Sequence, residues 1–259
     1  MPSETVVKLP RVLLHLRGLV KVLGLLELPD GTVWIDASEV HRIDAFAAVV
    51  IRAALERFVQ RSPGNSVLLT EPSDGQACLW FYGLLGDLPM RCRVEGTQTK
   101  PPNRADVLLP CHRLRDQEDC RQATEIIVKA TARDRRPRMR LLVEAFNELA
   151  WNGLTHGASS DVDVIAAVSL EPQSRHLQLV LLDTGDPGGR DDHEYYLRQA
   201  VAQSWTANGG FSGLVGRATA RARLRLLSGD ARLTWLDRVN TQKDNSFLPG
   251  FLASLEVLL

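Results

Sequence analysis

Residues 141–156, LLVEAFNELAWNGLTH, form the stretch around which the rest of the chain is organised. Glu148, Asn152 and His156 recur every four residues, so a helix places them in a row on nearly one face. The apolar residues fall into one stripe at helical spacing: Leu142, Val143, Phe146, Leu149, Ala150 and Leu154. An acid, an amide and an imidazole beside such a stripe are typical of a polar site on a core helix. They are equally typical of the solvated face of an amphipathic helix, and this stretch alone leaves both interpretations open.

Composition limits the class of protein. The chain has 259 residues, which suits one large domain or two, and 44% of them are hydrophobic, which is ample for buried cores. Lys+Arg and Asp+Glu balance at 31 each, so we expect neither nucleic acid nor a membrane surface as a partner. The start, MPSETVVKLP, lacks the pattern of a signal peptide, and charges interrupt the most apolar early run. We therefore expect a cytoplasmic protein.

The four cysteines, Cys78, Cys92, Cys111 and Cys120, show no CxxC spacing. Cys111, His112 and Cys120 could in principle join a metal site, since thiolates and imidazole are zinc ligands. Scattered reduced thiols are the expectation for a cytosolic protein with this spacing.

The first hundred residues alternate strand and helix patterns. Strands are predicted near residues 6–9, 32–37, 66–70 and 91–95, and helices over 11–28, 45–61 and 74–85. Asp44 is placed to cap the helix AFAAVVIRAALERFVQR. This βαβαβ order predicts a mostly parallel sheet with right-handed crossovers.

Residues 33–72, VWIDASEVHRIDAFAAVVIRAALERFVQRSPGNSVLLTEP, resemble a STAS domain, the fold of anti-sigma-factor antagonists. Asp36 and Asp44 match the two acidic positions of that family, and the resemblance extends over residues 5–95. It implies a protein-interaction domain, whose partner would be an anti-sigma or other sigma-regulatory protein. Ala45 stands where the family has its phosphoacceptor Ser or Thr, so phosphorylation cannot switch this domain at the usual position.

The second half of the chain starts after a Pro-containing segment, 96–117, that has few periodic apolar residues and is interpreted as a linker or an edge segment. We predict domains at 1–95 and 118–259. The latter has a helix at 118–132, the helix containing 141–156, and a strand hairpin from 162–170 and 176–183. A Gly-rich loop at 209–213 then opens a helix over 214–227, and strands follow at 231–236 and 250–258.

That order of elements resembles the GHKL superfamily, the Bergerat-fold ATPases that include sensor histidine kinases and anti-sigma-factor serine kinases. Glu148, Asn152 and His156 match the N-box in register, and Asp183 and Gly185 match the Asp-x-Gly of the next motif, whose second Gly is displaced to Gly188. Gly210 and Gly213 occupy the second Gly box, and the terminal Gly-Thr appears as Gly250-Phe251, with the Thr lost. The fold class expected is therefore α/β, an N-terminal STAS-like βαβ domain followed by a C-terminal α/β-sandwich Bergerat ATPase domain.

The resemblance implies ATP and Mg²⁺ as cofactors. Asp183 would accept a hydrogen bond from the exocyclic amine of adenine, and Gly185 would let the backbone approach the base. The amide oxygen of Asn152 suits Mg²⁺, and Glu148 would act as the catalytic base. The loop glycines would expose N–H groups to phosphate, whereas His156 is more typical of a packed histidine than of a phosphate contact.

Three hypotheses follow. The first is a bacterial signalling protein that binds Mg-ATP and acts as a Ser/Thr kinase or slow ATPase, with the STAS-like domain as its interaction arm. The second is a non-catalytic regulator in which the nucleotide only selects the bound partner. The third is a scaffold whose two degenerate domains bind no nucleotide. The oligomeric state stays open.

Overall fold

The computed structural model describes residues 5–14, 24, 28–72, 91–95, 107–131, 137–156, 164–171, 176–183, 222–235 and 239–258. These residues form a mixed α/β structure. Within them are three helices, α1 (Ala45–Arg61), α2 (Gln117–Thr131) and α3 (Pro137–His156). No helix among the described residues is both long and apolar enough to cross a membrane.

The first sheet is parallel, as the βαβαβ pattern predicted. Its four strands lie in the order β1-β3-β5-β6. They are β1 (Thr5–Lys8), β3 (Thr32–Asp36), β5 (Ser66–Thr70) and β6 (Cys92–Glu95). A separate parallel pair joins β2 (Val12–Leu13) to β4 (Arg42–Ile43). The strand β2 shows that the helix predicted over 11–28 is wrong at its start, and most of that prediction, like the helix predicted at 74–85, lies outside the described residues.

Helix α1 is buried on nearly every side. The Asp44 side chain accepts a hydrogen bond of 2.8 Å from the backbone N–H of Ala47, which confirms the predicted N-cap. Of its 17 residues, only Arg57, Gln60 and Arg61 are not buried. A helix that is apolar around its whole circumference needs neighbours on more than one side.

The second sheet is antiparallel and has five strands in the order β10-β11-β9-β8-β7. Its strands are β7 (Val107–Leu114), β8 (Val164–Glu171), β9 (His176–Asp183), β10 (Ala222–Trp235) and β11 (Val239–Leu258). The predicted hairpin is confirmed, since β8 and β9 pair antiparallel from Val164↔Asp183 to Glu171↔His176.

Two sequence-based boundaries need correction in this half. The segment 96–117, interpreted as a linker or an edge segment, contains β7, which pairs with β8 at the edge of the sheet. For residues 107–114 the edge-segment interpretation is therefore confirmed and the linker interpretation is wrong. The helix predicted over 214–227 is wrong from residue 222 onward, because β10 starts at Ala222. Alternation of Arg223, Leu224, Arg225 and Leu226 on a paired strand outweighs the helical spacing of the same leucines.

The five-stranded sheet is covered on both faces. Alternate strand residues such as Leu177, Leu179 and Leu181 pack in one cluster with α2 and α3. The intervening residues, such as Val180 and Leu182, pack in a second cluster that also contains α1 and the buried residues of the parallel sheet. The layers therefore run parallel sheet, α1, antiparallel sheet, then α2 with α3. The two halves share a core around α1, and their division into separate domains stays a prediction.

Candidate functional site

Helix α3 carries the row of residues that the sequence singled out. Leu142, Phe146 and Ala150 are fully buried against the five-stranded sheet, which confirms the predicted apolar stripe. Glu148 is partly exposed beside that stripe. Asn152 and His156 follow it by one and two helical turns, but their side chains lie outside the described residues.

Asp183 is the last residue of β9 and is partly exposed. Successive residues of a strand point to opposite faces, so Asp183 shares a face with Leu181 and Leu179. Those two leucines pack in the cluster that contains the buried residues of α3. The carboxyl group that was predicted to contact adenine is therefore on the same side of the sheet as Glu148 and the helix that carries it.

The neighbours of Asp183 across the sheet define its surroundings. It pairs with Val164 on one side and with Phe251 on the other, and this line continues to Leu114 and Ser228. We call these five residues the site row: Leu114, Val164, Asp183, Phe251 and Ser228. Leu114, Val164 and Ser228 are buried, and Phe251 packs against the cluster on the α3 side. Asp183 is thus the single ionisable residue in this row.

Helix α3 comes close to the site row at Gly153. A Cβ atom built on Gly153 would lie 2.6 Å from Cγ2 of Val164, far inside van der Waals contact. Since Val164 is the strand neighbour of Asp183, the helical turn that contains Asn152 and Gly153 lies over the end of the sheet where Asp183 is found. The absence of a side chain at Gly153 permits this approach.

Phe251, which stands where the family has its threonine, is also next to Asp183. Phe251 lies directly opposite Asp183 on β11. An aromatic ring there offers apolar contact instead of a hydroxyl group. Cross-strand neighbours have Cβ atoms about 4.5–5.5 Å apart, so a group held by Asp183 lies within reach of Phe251.

Several predicted site residues are not described. Gly185, Gly188, Gly210 and Gly213 lie outside the described residues. The fold thus places Asp183 and Phe251 next to the helical turn that contains Asn152 and Gly153, and Glu148 lies one turn earlier on the same helix. The phosphate-binding role of the loop glycines Gly210 and Gly213 stays a prediction.

The opposite face of the same strands carries a group of charges that the sequence did not single out. Glu56 of α1 accepts a hydrogen bond from Nε of its neighbour Arg52, and its Oε1 lies 2.8 Å from a terminal nitrogen of Arg113 on β7. Arg52 and Glu56 are buried, and the Arg113 side chain is 14% exposed. Arg52 and Glu56 have a recognisable sequence pattern: two opposite charges four residues apart, directly after the seven consecutive apolar residues 45–51.

The acidic positions matched to the STAS family have local structural roles. Asp36 accepts hydrogen bonds from the backbone N–H and the hydroxyl group of Ser38, at 3.0 and 2.6 Å, and these bonds lower the pKa of its carboxyl group. Asp44 caps α1. Ala45 is fully buried at the start of that helix, within the core shared by both sheets. A phosphoacceptor at this position would be enclosed.

The alternative of a cysteine metal site finds no support in the geometry. Cys111 packs in the cluster on the α1 side of the sheet, whereas Cys120 packs against the cluster on the α3 side, so the sheet lies between them. Burial raises the pKa of Cys111 to about 12 and that of Cys120 to about 11, which keeps both as thiols at neutral pH. Among the described residues, no group of three His, Cys, Asp or Glu could hold a metal ion.

Of the two strand neighbours of Asp183, Val164 is buried under α3, whereas Phe251 is partly exposed. No family model matches this chain, and no curated protein matches it either. The STAS and GHKL resemblances therefore remain interpretations of its residues.

Proposed function

We propose that the chain binds an adenine nucleotide, as Mg-ATP, between α3 and the end of β9, in the manner of the GHKL ATPases that its C-terminal half resembles. One observation carries this proposal. Asp183 is the single ionisable residue of the site row, and it shares the face of the sheet on which α3 lies. Adenine combines an apolar ring with an exocyclic amine, whose N–H would donate a hydrogen bond to the carboxylate.

The chain's own residues divide the remaining tasks. In the proposal, the position of Asn152, one turn after Glu148 and beside the close approach at Gly153, suits an amide ligand for Mg²⁺ that arrives with the phosphates. Mg²⁺ would neutralise phosphate charge when it is bound. Glu148 would accept a proton from a water molecule or from an acceptor hydroxyl group of a protein substrate. The role of Asn152 requires only that Mg-ATP binds, whereas the role of Glu148 requires kinase or ATPase activity.

A regulator without catalysis is the second candidate, and Ala45, which leaves the STAS-like half without a hydroxyl group to phosphorylate at the usual position, supports it. The STAS-like half was expected to act as an interaction arm, but its helix α1 is enclosed between the two sheets and Ala45 is fully buried. A partner such as a sigma-regulatory protein would therefore contact surfaces other than α1. In this version of the proposal, the cytoplasmic, bacterial signalling role is kept and the nucleotide determines partner binding without being consumed.

Calorimetric titration of the full chain with ATP and Mg²⁺ tests binding. Asp183→Asn removes the charge while keeping the size, and we expect about 10- to 100-fold weaker binding, since hydrogen bonds to charged groups contribute about 1.5–3 kcal/mol. Asp116→Asn is the matched control, because Asp116 is exposed and its Oδ1 accepts from the N–H of Asp119, a role that asparagine retains. Absence of binding by the wild type, or equal binding by Asp183→Asn, would contradict the proposal.

Turnover then separates the two candidates. If the chain hydrolyses ATP, Glu148→Gln should reduce the rate by about 10²–10⁴-fold while leaving ATP affinity nearly unchanged. Glu144→Gln makes the same change one helical turn earlier on α3 and should have no such effect. Binding without turnover in all three proteins, with and without candidate protein acceptors, would favour the regulator.

A further inference from the structure

At the candidate site, residues on the two faces of the five-stranded sheet are adjacent in the chain. Each residue of the site row has an immediate chain neighbour on the opposite face. We call those neighbours the anchor row: Arg113, Ile165, Leu182, Leu252 and Leu227. Their register runs across all five strands, from Arg113↔Ile165 through Leu182 and Leu252 to Leu227.

The anchor row holds α1. Ile165, Leu182, Leu252 and Leu227 are buried in one cluster with the apolar residues of α1. At the end of the row, Arg113 contacts Glu56 of α1 at 2.8 Å. A second contact from the same edge strand is the Cys111 thiol, whose Sγ lies 4.0 Å from the carbonyl oxygen of Ala48. Apolar packing and one ion pair at the edge strand therefore hold α1 against the sheet.

Adjacent residues of a strand cannot move independently. Leu182 and Asp183 are joined by one peptide, so their Cα atoms are about 3.8 Å apart. A displacement of Leu182 towards or away from α1 must therefore move the Asp183 carboxyl group on the other face. The same holds for Ile165 with Val164 and for Leu252 with Phe251. Three strands thus connect α1 to the walls of the site.

We propose that docking of α1 on the anchor row regulates nucleotide binding at Asp183, with the Glu56–Arg113 contact as the adjustable link. This inference rests on the proposed function for its ligand, and it adds the element that controls the site. Coupling is reciprocal: if a docked α1 favours the nucleotide, the bound nucleotide favours a docked α1 by the same factor. The N-terminal half then acts as a built-in regulatory partner of the C-terminal half.

The substitution Arg113→Met in the full chain removes the ion pair between β7 and Glu56 of α1. Glu56 keeps its contact with Arg52, so the buried carboxylate is not left without a cation. Arg121→Met is the matched control, because Arg121 forms ion pairs with Glu118 and Glu125 on the exposed side of α2, away from α1. Arg113→Lys keeps the positive charge and loses the planar fork, so it provides a milder variant if Arg113→Met does not fold.

Hydrogen–deuterium exchange without nucleotide is the first measurement. We expect amide exchange in residues 176–183 to become faster in Arg113→Met than in the wild type, less so in Arg113→Lys, and not at all in Arg121→Met. Unchanged exchange in residues 176–183 of both Arg113 variants would overturn the inference, whether or not the chain binds ATP.

Titration with Mg-ATP is the second measurement. We expect Arg113→Met to weaken binding about fivefold or more, the lower end of typical couplings, and Mg-ATP to slow amide exchange in residues 45–61 of the wild type. If the wild type binds Mg-ATP but neither effect occurs, this inference is wrong and the proposed function stands. If the wild type does not bind Mg-ATP, the proposed function is wrong, and the exchange without nucleotide still decides whether α1 controls the site row.

Discussion

The two faces of the five-stranded sheet are covered by helices of opposite character. On one face, α3 buries a single stripe and leaves Trp151 47% exposed on its outer side. On the other face, α1 lies between two sheets and is buried almost completely. An outer helix needs one apolar stripe, whereas a helix between two sheets needs apolar residues all round. Polar residues follow the same rule, since the outer helix can present Glu148 at a site whereas the inner helix pairs Arg52 with Glu56.

The largest expected effect is on the inner helix. Phe46→Ala should lower the free energy of unfolding by about 3–5 kcal/mol, because Phe46 is 1% exposed and no backbone shift can easily fill its place between two sheets. Since that cluster contains residues of both sheets, we also expect one unfolding transition for both halves. Urea denaturation followed by fluorescence and by circular dichroism measures both quantities. Val12→Ala, at a side chain that is 50% exposed, should change little; two separate transitions would show that the halves fold independently.

The reactivity of Cys111 and Cys120 provides a chemical comparison of the two faces of the sheet. Burial is the main cause of the raised pKa at both, about 12 for Cys111 under α1 and about 11 for Cys120 on α2. The thiolate is the reactive form, and Cys111 is 5% exposed whereas Cys120 is partly exposed, so we expect Cys120 to be alkylated faster than Cys111. Alkylation at pH 8 with peptide mass spectrometry tests this, and labelling in urea serves as the control. Equal rates in the native protein would contradict the burial of Cys111.

The smallest effect is expected at the start of the inner helix. Asp44→Ala should cost about 1 kcal/mol, because it removes the acceptor for the N–H of Ala47. Asp44→Asn retains a capping oxygen and should cost almost nothing, although it removes the acid that matches the STAS pattern. Thermal unfolding of both variants gives the comparison. A large loss with Asp44→Asn would mean that the charge itself matters.

Local pattern predicted the elements well where it was strong. The apolar run after Asp44 and the stripe around Phe146 predicted α1 and α3, and short apolar runs predicted the strands that end at Asp36 and Asp183. Helical and strand periods fix which face each residue takes, and this is why Asp183 lies on the side of the sheet that α3 covers.

Long-range partners could not be predicted in the same way. Pro110 made the edge strand β7 look like a linker, although an edge strand tolerates proline. The leucines after Arg223 fit a helix as well as a strand, and only pairing with β11 decides between them. The second sheet that covers α1 was not predicted, because nothing local to that helix identifies a partner so distant in the sequence.

The back-to-back arrangement of the two rows also limits how the chain can vary in length. A strand that slips or loses one residue exchanges its two faces. In β9, such a change would turn Asp183 towards α1, into an apolar core whose buried acid Glu56 already has its cations, and would place Leu182 where the carboxylate now lies. We therefore expect β9 to tolerate no insertion or deletion, whereas β7 and β10 already contain register shifts and can absorb a change in length there.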